Sequence, residues 1–144
     1  MISVSKGQDI SKRPSLKMNK AEKMIAFIYY RDLATGIDFY ENILGFTRII
    51  DQGWCKIYQI SDSGYLGIVD EKKGMQNWHA DKTVQICIRV PDVLPWYDYC
   101  TKLKLKNMSK LFVSEELLIK AFVFDDPEGY QIEFQESLGN DILI

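Results

Sequence analysis

The chain is poor in the residue types that carry the commonest chemistries. It has a single histidine, His79, and three cysteines, Cys55, Cys87 and Cys100, an odd number at irregular spacing. That argues against a disulfide framework and leaves no Cys-pair zinc motif; it fits reduced thiols and a cytoplasmic protein. No apolar run has the length of a membrane span, and the first residues lack the hydrophobic segment of a secretory signal. Positive charge is not in excess either: 18 Lys and Arg stand against 20 Asp and Glu, a formal net charge of -2. Nucleic acid and anionic membranes are therefore not expected partners. Phosphate-binding glycine loops, dinucleotide fingerprints and nucleophile elbows are also missing.

What is present is apolar and aromatic, 47% and 12% of the 144 residues, enough for one buried core and a single domain. Residues 1–23 differ: they are polar, with six Lys or Arg against two acids, and are expected to form a flexible N-terminal arm or leader. The domain is expected over 24–140.

The chain repeats itself. MIAFIYYRDLATGIDFYENILG, from Met24, aligns with VQICIRVPDVLPWYDYCTKLKL, from Val84, at a constant offset of 60 positions, which sets Asp32 on Asp92 and Tyr40 on Cys100. Each copy reads as a strand and then a helix, with the Asp offered as N-cap. The helices are predicted over 33–44 and 93–104. Their apolar stripes are Leu33, Ile37, Tyr40 and Leu44 in the first and Val93, Trp96, Tyr97, Cys100 and Leu103 in the second. Gly36 should weaken the first helix slightly, while Pro95 is tolerable in an opening turn.

Three short strands should follow each helix. In the first copy they begin near Phe46, Trp54 and Tyr65; in the second they comprise a piece around 109–113, then LLIKAFVFD and GYQIEFQE. DDPEGY before the last strand is a turn signal, with Pro127 and Gly129 in turn positions. The fold class is therefore α+β: two tandem βαβββ modules forming a curved mixed sheet around a cleft, with helices on the outer face. Module one is placed at 24–70, a linker at 71–82 and module two at 83–136.

Alternation assigns the faces. Val84, Ile86, Ile88 and Val90 belong under a helix, so Gln85, Cys87 and Arg89 lie on the other side. By the offset, the matching positions on the first strand are Ile25, Phe27 and Tyr29. The closing strands add Tyr65, Gly67 and Val69 in module one and Gln131, Glu133 and Gln135 in module two, with Gly67 the counterpart of Glu133. Aromatic and aliphatic groups beside a few convergent polar ones describe a ligand-lining surface.

FYENILGF after a strand and Asp-Leu, the doubled βαβββ organisation and DPEGYQIEF near the end resemble the vicinal oxygen chelate superfamily, over roughly residues 24–136. That superfamily includes glyoxalase I, bleomycin-resistance and fosfomycin-resistance proteins and extradiol dioxygenases. The resemblance implies four metal-ligand positions on the helix-free face, which fall here on Ile25, Gly67, Gln85 and Glu133. Only Gln85 and Glu133 carry donor side chains. A two-histidine, one-carboxylate set cannot be assembled around one histidine, so the dioxygenase and fosfomycin-type chemistries that the resemblance allows are not expected.

The expectation is a small-molecule-binding protein that sequesters or senses an aromatic or polar ligand, without a complete metal site and with no cofactor. Phe27, Tyr29, Tyr65, Gln85, Cys87, Arg89, Gln131, Glu133 and Trp78 are its candidate ligand contacts. One alternative is a metal-dependent glyoxalase-like lyase or isomerase, with Gln85 and Glu133 on Zn, Ni, Mn or Fe and Glu133 as the catalytic carboxylate. Another is a non-catalytic interaction protein. The resemblance favours a homodimer, and leaves open whether modules pair within one chain or between two. Arg89 and Glu133 could equally satisfy each other as an ion pair, Cys87 is more often a small hydrophobe than a nucleophile with His79 as base, and the 71–82 segment is lid or linker.

Overall fold

In the computed structural model, which describes residues 7–15 and 17–139, the predicted order of elements occurs twice. Module one runs β1 (Met24–Tyr30), α1 (Leu33–Ile37), β2 (Thr47–Asp51), β3 (Cys55–Gln59) and β4 (Gly64–Asp70). Module two runs β5 (Gln85–Arg89), α2 (Leu94–Thr101), β6 (Phe112–Ser114), β7 (Ile119–Asp125) and β8 (Gln131–Ser137). Each module folds its four strands into one mixed sheet, ordered β1-β4-β3-β2 and β5-β8-β7-β6. The first strand lies parallel to the last in both, Phe27 opposite Gly67 and Cys87 opposite Glu133. The 60-position offset is thus a structural equivalence, and Gly67 and Glu133 occupy the same place.

The helices are shorter than their sequence stripes. Asp32 caps α1 as expected, accepting through Oδ1 from the Ala34 amide at 3.1 Å. Asp92 accepts from the Leu94 amide at 3.1 Å but stands one residue ahead of the cap position, which Val93 holds without a side-chain cap bond. After Ile37 the first helix widens into a π-helical stretch, Asp38–Ile43, closed by the Leu44 amide donating to the Phe39 carbonyl. Consecutive Phe39 and Tyr40 are both buried there, and Phe39 lies outside the α-periodic stripe. The second helix ends in turns that bring Lys104 to a φ of 54°.

Gly36 has a different task from the one its helix propensity suggests. A Cβ there would stand 2.7 Å from the Tyr30 ring, so the glycine is what lets the ring pass over the helix.

One core cluster joins the two modules. Ile28, Leu66 and Ile68 of the first sheet share it with Ile88, Phe122, Ile132 and Phe134 of the second. Between them the Phe39 ring meets Phe124 at 6.2 Å, and the Tyr99 hydroxyl of α2 donates to the Ile43 carbonyl at 2.5 Å. The helix-covered faces of the two sheets therefore share one core. Among the described residues no helix is long and apolar enough to cross a membrane.

Candidate functional site

On the outer face of module two, alternation on β5 and β8 brings the predicted polar residues together. Glu133 is only 9% exposed, and its carboxylate is held by neighbouring side chains. The Gln135 amide donates to Oε2 at 2.7 Å and the Gln85 amide to Oε1 at 3.3 Å, while the Cys87 thiol lies 3.7 Å from Oε2. Gln85 also donates to Gln131 at 2.7 Å. Arg89 donates through Nε to the Gln135 side-chain oxygen at 3.0 Å. Arg89 and Glu133 are thereby linked through the Gln135 amide. The cluster is an unbroken row of amide donors and acceptors around one carboxylate and one guanidinium.

Burial and the adjacent Glu133 carboxylate push the Cys87 thiol up to about 11. It is a neutral thiol near pH 7, the opposite of what a nucleophile needs. His79 is exposed, and its carbonyl accepts from the Lys82 ammonium.

Module one's outer face is different in kind. Tyr65 is buried with Cys55, Ile57 and Val69 in a second apolar cluster against which Tyr29 packs. Beside that cluster Ile25 and Phe27 stay 39% and 49% exposed. Trp54 sits at the β2–β3 turn, 42% exposed.

The donor set does not fit the metal that the fold implies. Ile25 and Gly67, the equivalents of Gln85 and Glu133, offer no donor atom, and the Phe27 ring comes within 2.5 Å of where a Cβ on Gly67 would stand. Among the described residues no three His, Cys, Asp or Glu side chains group as ligands.

Trp78 of the linker is pinned near the end of β1. The Arg31 guanidinium lies 3.7 Å from its ring centroid and the Lys82 ammonium 3.9 Å, and its amide donates to Glu71 at 3.3 Å. Its indole N–H is buried without an acceptor among the described residues. Trp78→Phe, which removes that orphan donor, is expected to leave the denaturation midpoint unchanged or slightly raised, whereas Trp78→Ala should cost about 2–4 kcal/mol. A clear loss with Phe would show that the N–H is satisfied in solution.

Asp126, which as a turn residue can bond the backbone ahead of it, does so and takes two further partners that the sequence did not point to. Asp126 is fully buried and accepts from the hydroxyls of Tyr30 (2.5 Å) and Tyr40 (2.7 Å) and from the amides of Glu128 (3.0 Å) and Tyr130 (2.8 Å). Next to it the Tyr130 hydroxyl accepts from the Tyr29 amide at 2.9 Å, and Glu128 pairs with Arg31 at 3.1 Å. The DDPEGY turn thus ties module two to the end of β1. Its turn residues were legible, but the aspartate's partners were not, because they lie 96 and 86 positions away.

Against solved structures the chain matches a glyoxalase/bleomycin resistance protein/dioxygenase from Nocardioides, with 14% identity, 84% of this chain and 85% of that one covered, and a TM-score of 0.68. A lactoylglutathione lyase from Agrobacterium tumefaciens follows at 17% identity, covering 78% and 91%, with a TM-score of 0.65. A bleomycin-binding protein complexed with bleomycin matches at 17% identity, 81% and 99%, with a TM-score of 0.64. At these identities the likeness shows the fold alone. No curated protein matches the chain. The family model for the Glyoxalase/Bleomycin resistance protein/Dioxygenase superfamily matches residues 23–134. With the repeated βαβββ modules and the equivalence of Gly67 and Glu133, that match places the chain in the Glyoxalase/Bleomycin resistance protein/Dioxygenase superfamily.

Proposed function

We propose that this protein binds a small molecule, for sequestration or sensing, in a cleft made by two copies of the chain: the outer face of module one from one copy against that of module two from the other. The observation that carries the reading is the contrast between these faces. Module one offers half-exposed Ile25 and Phe27 beside a packed apolar cluster, and module two offers the amide-rich row around Glu133. Because the helix-covered faces of both modules share one core, the helix-free faces turn away from each other within one chain in this reading, and a second copy opposes them. A planar ring against Phe27 with an amide-like head in the glutamine row satisfies both walls. The bleomycin-binding protein among the structural neighbours supports a ligand-holding role for this fold. Turnover through a metal is not favoured, because Ile25 and Gly67 bring no ligands.

Native mass spectrometry at low micromolar concentration tests the reading, with benzamide, benzamidine and benzoate added in turn. A dimer is expected, with benzamide retained above the two charged analogues. Phe27→Asp should give a monomer that melts close to wild type, since the side chain is half exposed, and that loses benzamide. A wild-type monomer with no adduct would end the proposal.

A further inference from the structure

A second site lies at the free edges of the sheets, between β1 and β5. Among the described residues β1 pairs with β4 alone and β5 with β8 alone, so each leaves one strand edge open. The Tyr29 amide bonds the Tyr130 hydroxyl, outside the β1–β4 ladder, so by the period of two the peptide groups of Ile25 and Phe27 also point off that edge. On β5 the Val90 amide bonds the Gln135 carbonyl of β8, which turns the peptide groups of Gln85 and Cys87 to the open side.

Between these strands is a cavity of about 350 Å³. Its floor is Leu66 and Ile88, 2% and 8% exposed, and its walls include Ala26, Ile60 and Ile86, all packed on the main core. Met24, 75% exposed, stands at its mouth. A polar side chain on the lining is Ser61, whose Oγ accepts from the Gly64 amide at 3.1 Å and so keeps its own O–H to donate. Charge at the mouth is balanced. Lys23, 5.0 Å from the Tyr65 ring centroid, interacts with both Glu22 and Asp62, and the Arg89 guanidinium is turned to Gln135 on the outer face.

We propose that this cavity binds an apolar molecule, the size of a medium-chain alcohol, that carries one uncharged hydrogen-bonding head. Aliphatic walls make poor contacts with water, and a volume of this order holds a small ligand. The head bonds Ser61 or the open peptide edge, which otherwise depends on solvent. Tyr65, Cys87 and Arg89 also belong to the lining, so the cavity borders the outer faces at the strand edges, while its apolar floor belongs to the main core.

Titration calorimetry with 1-octanol, octanoate and octylammonium, together with isoleucine methyl NMR, is the test. One octanol per chain is expected, bound at least tenfold tighter than either ion, with shifts at the methyls of Ile60, Ile86 and Ile88 and none at Ile57 on the outer face. Ala26→Phe, which fills the cavity, should lower octanol affinity at least tenfold. Absence of saturable octanol binding by the wild type would overturn the proposal. So would shifts centred on Ile57, or ions bound as well as the alcohol. The methyl shifts decide the matter on the wild type alone, should the filled variant fold poorly.

Discussion

Replacing Asp126 with alanine is expected to destabilise the protein by about 3–5 kcal/mol, more than any change on the outer faces. The carboxylate is fully buried and accepts four hydrogen bonds, two from tyrosine hydroxyls of module one and two from its own turn. Alanine leaves those donors unmet in a space that excludes water, so the full desolvation cost falls on the folded state. Asparagine should cost much less. Its oxygen can still accept from the Glu128 and Tyr130 amides, and its NH₂ can donate to hydroxyls that rotate to accept. Chemical denaturation of both variants checks the order, and equal losses would mean that the charge, rather than the acceptors, matters.

The two variants also carry a pH signature. Burial raises the Asp126 carboxyl above its ordinary value of 3.8, and the hydrogen bonds it accepts only partly oppose that. The folded state therefore binds the proton more tightly than the unfolded state. The stability that proton contributes is complete below pH 3.8 and is lost as pH rises through the raised value. Asp126→Asn has no such proton. The stability gap between wild type and Asp126→Asn should be widest near pH 4 and narrow toward neutrality. A gap that widens with rising pH would show that the tyrosines hold the ionised form.

Gly36→Val is expected to cost about 2–3 kcal/mol. The added Cβ meets the Tyr30 ring at 2.7 Å, and the ring cannot retreat because its hydroxyl is bonded to Asp126 at 2.5 Å. Alanine meets the same ring but gains about 1 kcal/mol of helix propensity over glycine, so Gly36→Ala should cost clearly less. The two sites are coupled. In a Tyr30→Ala background the clash is gone, and the valine penalty should fall below about 1 kcal/mol. An undiminished penalty there would place the cost in the helix backbone rather than in the ring contact.

These residues show where the sequence is informative. Asp32 was legible as a cap, because a cap bonds two residues ahead; Asp92 makes the same local bond, but the second helix starts one residue later, with Val93 in the cap position. Gly36 was misjudged, since helix propensity says nothing of a ring arriving from a strand. Phe39 was missed as core because a π-helical stretch breaks the period used to find it. Glu133, Gln85 and Arg89 were placed on the correct face, but the part played by Gln135 as the bridge between them emerges only from bond geometry. Trp78 was equally readable as lid or linker, and its placement between Arg31 and Lys82 was not.

By itself the sequence determined the repeated module, the equivalence of Gly67 with Glu133, and which side chains lie on each face of each sheet. All of these follow from local periodicity and from comparing the chain with itself. Only the tertiary structure decided that the helix-covered faces of the two sheets share one core and that Asp126 ties the modules together. The reason is physical. Backbone pitch sets the direction of a side chain relative to its own element, whereas its partner across the molecule is chosen by how two covered faces share one buried volume.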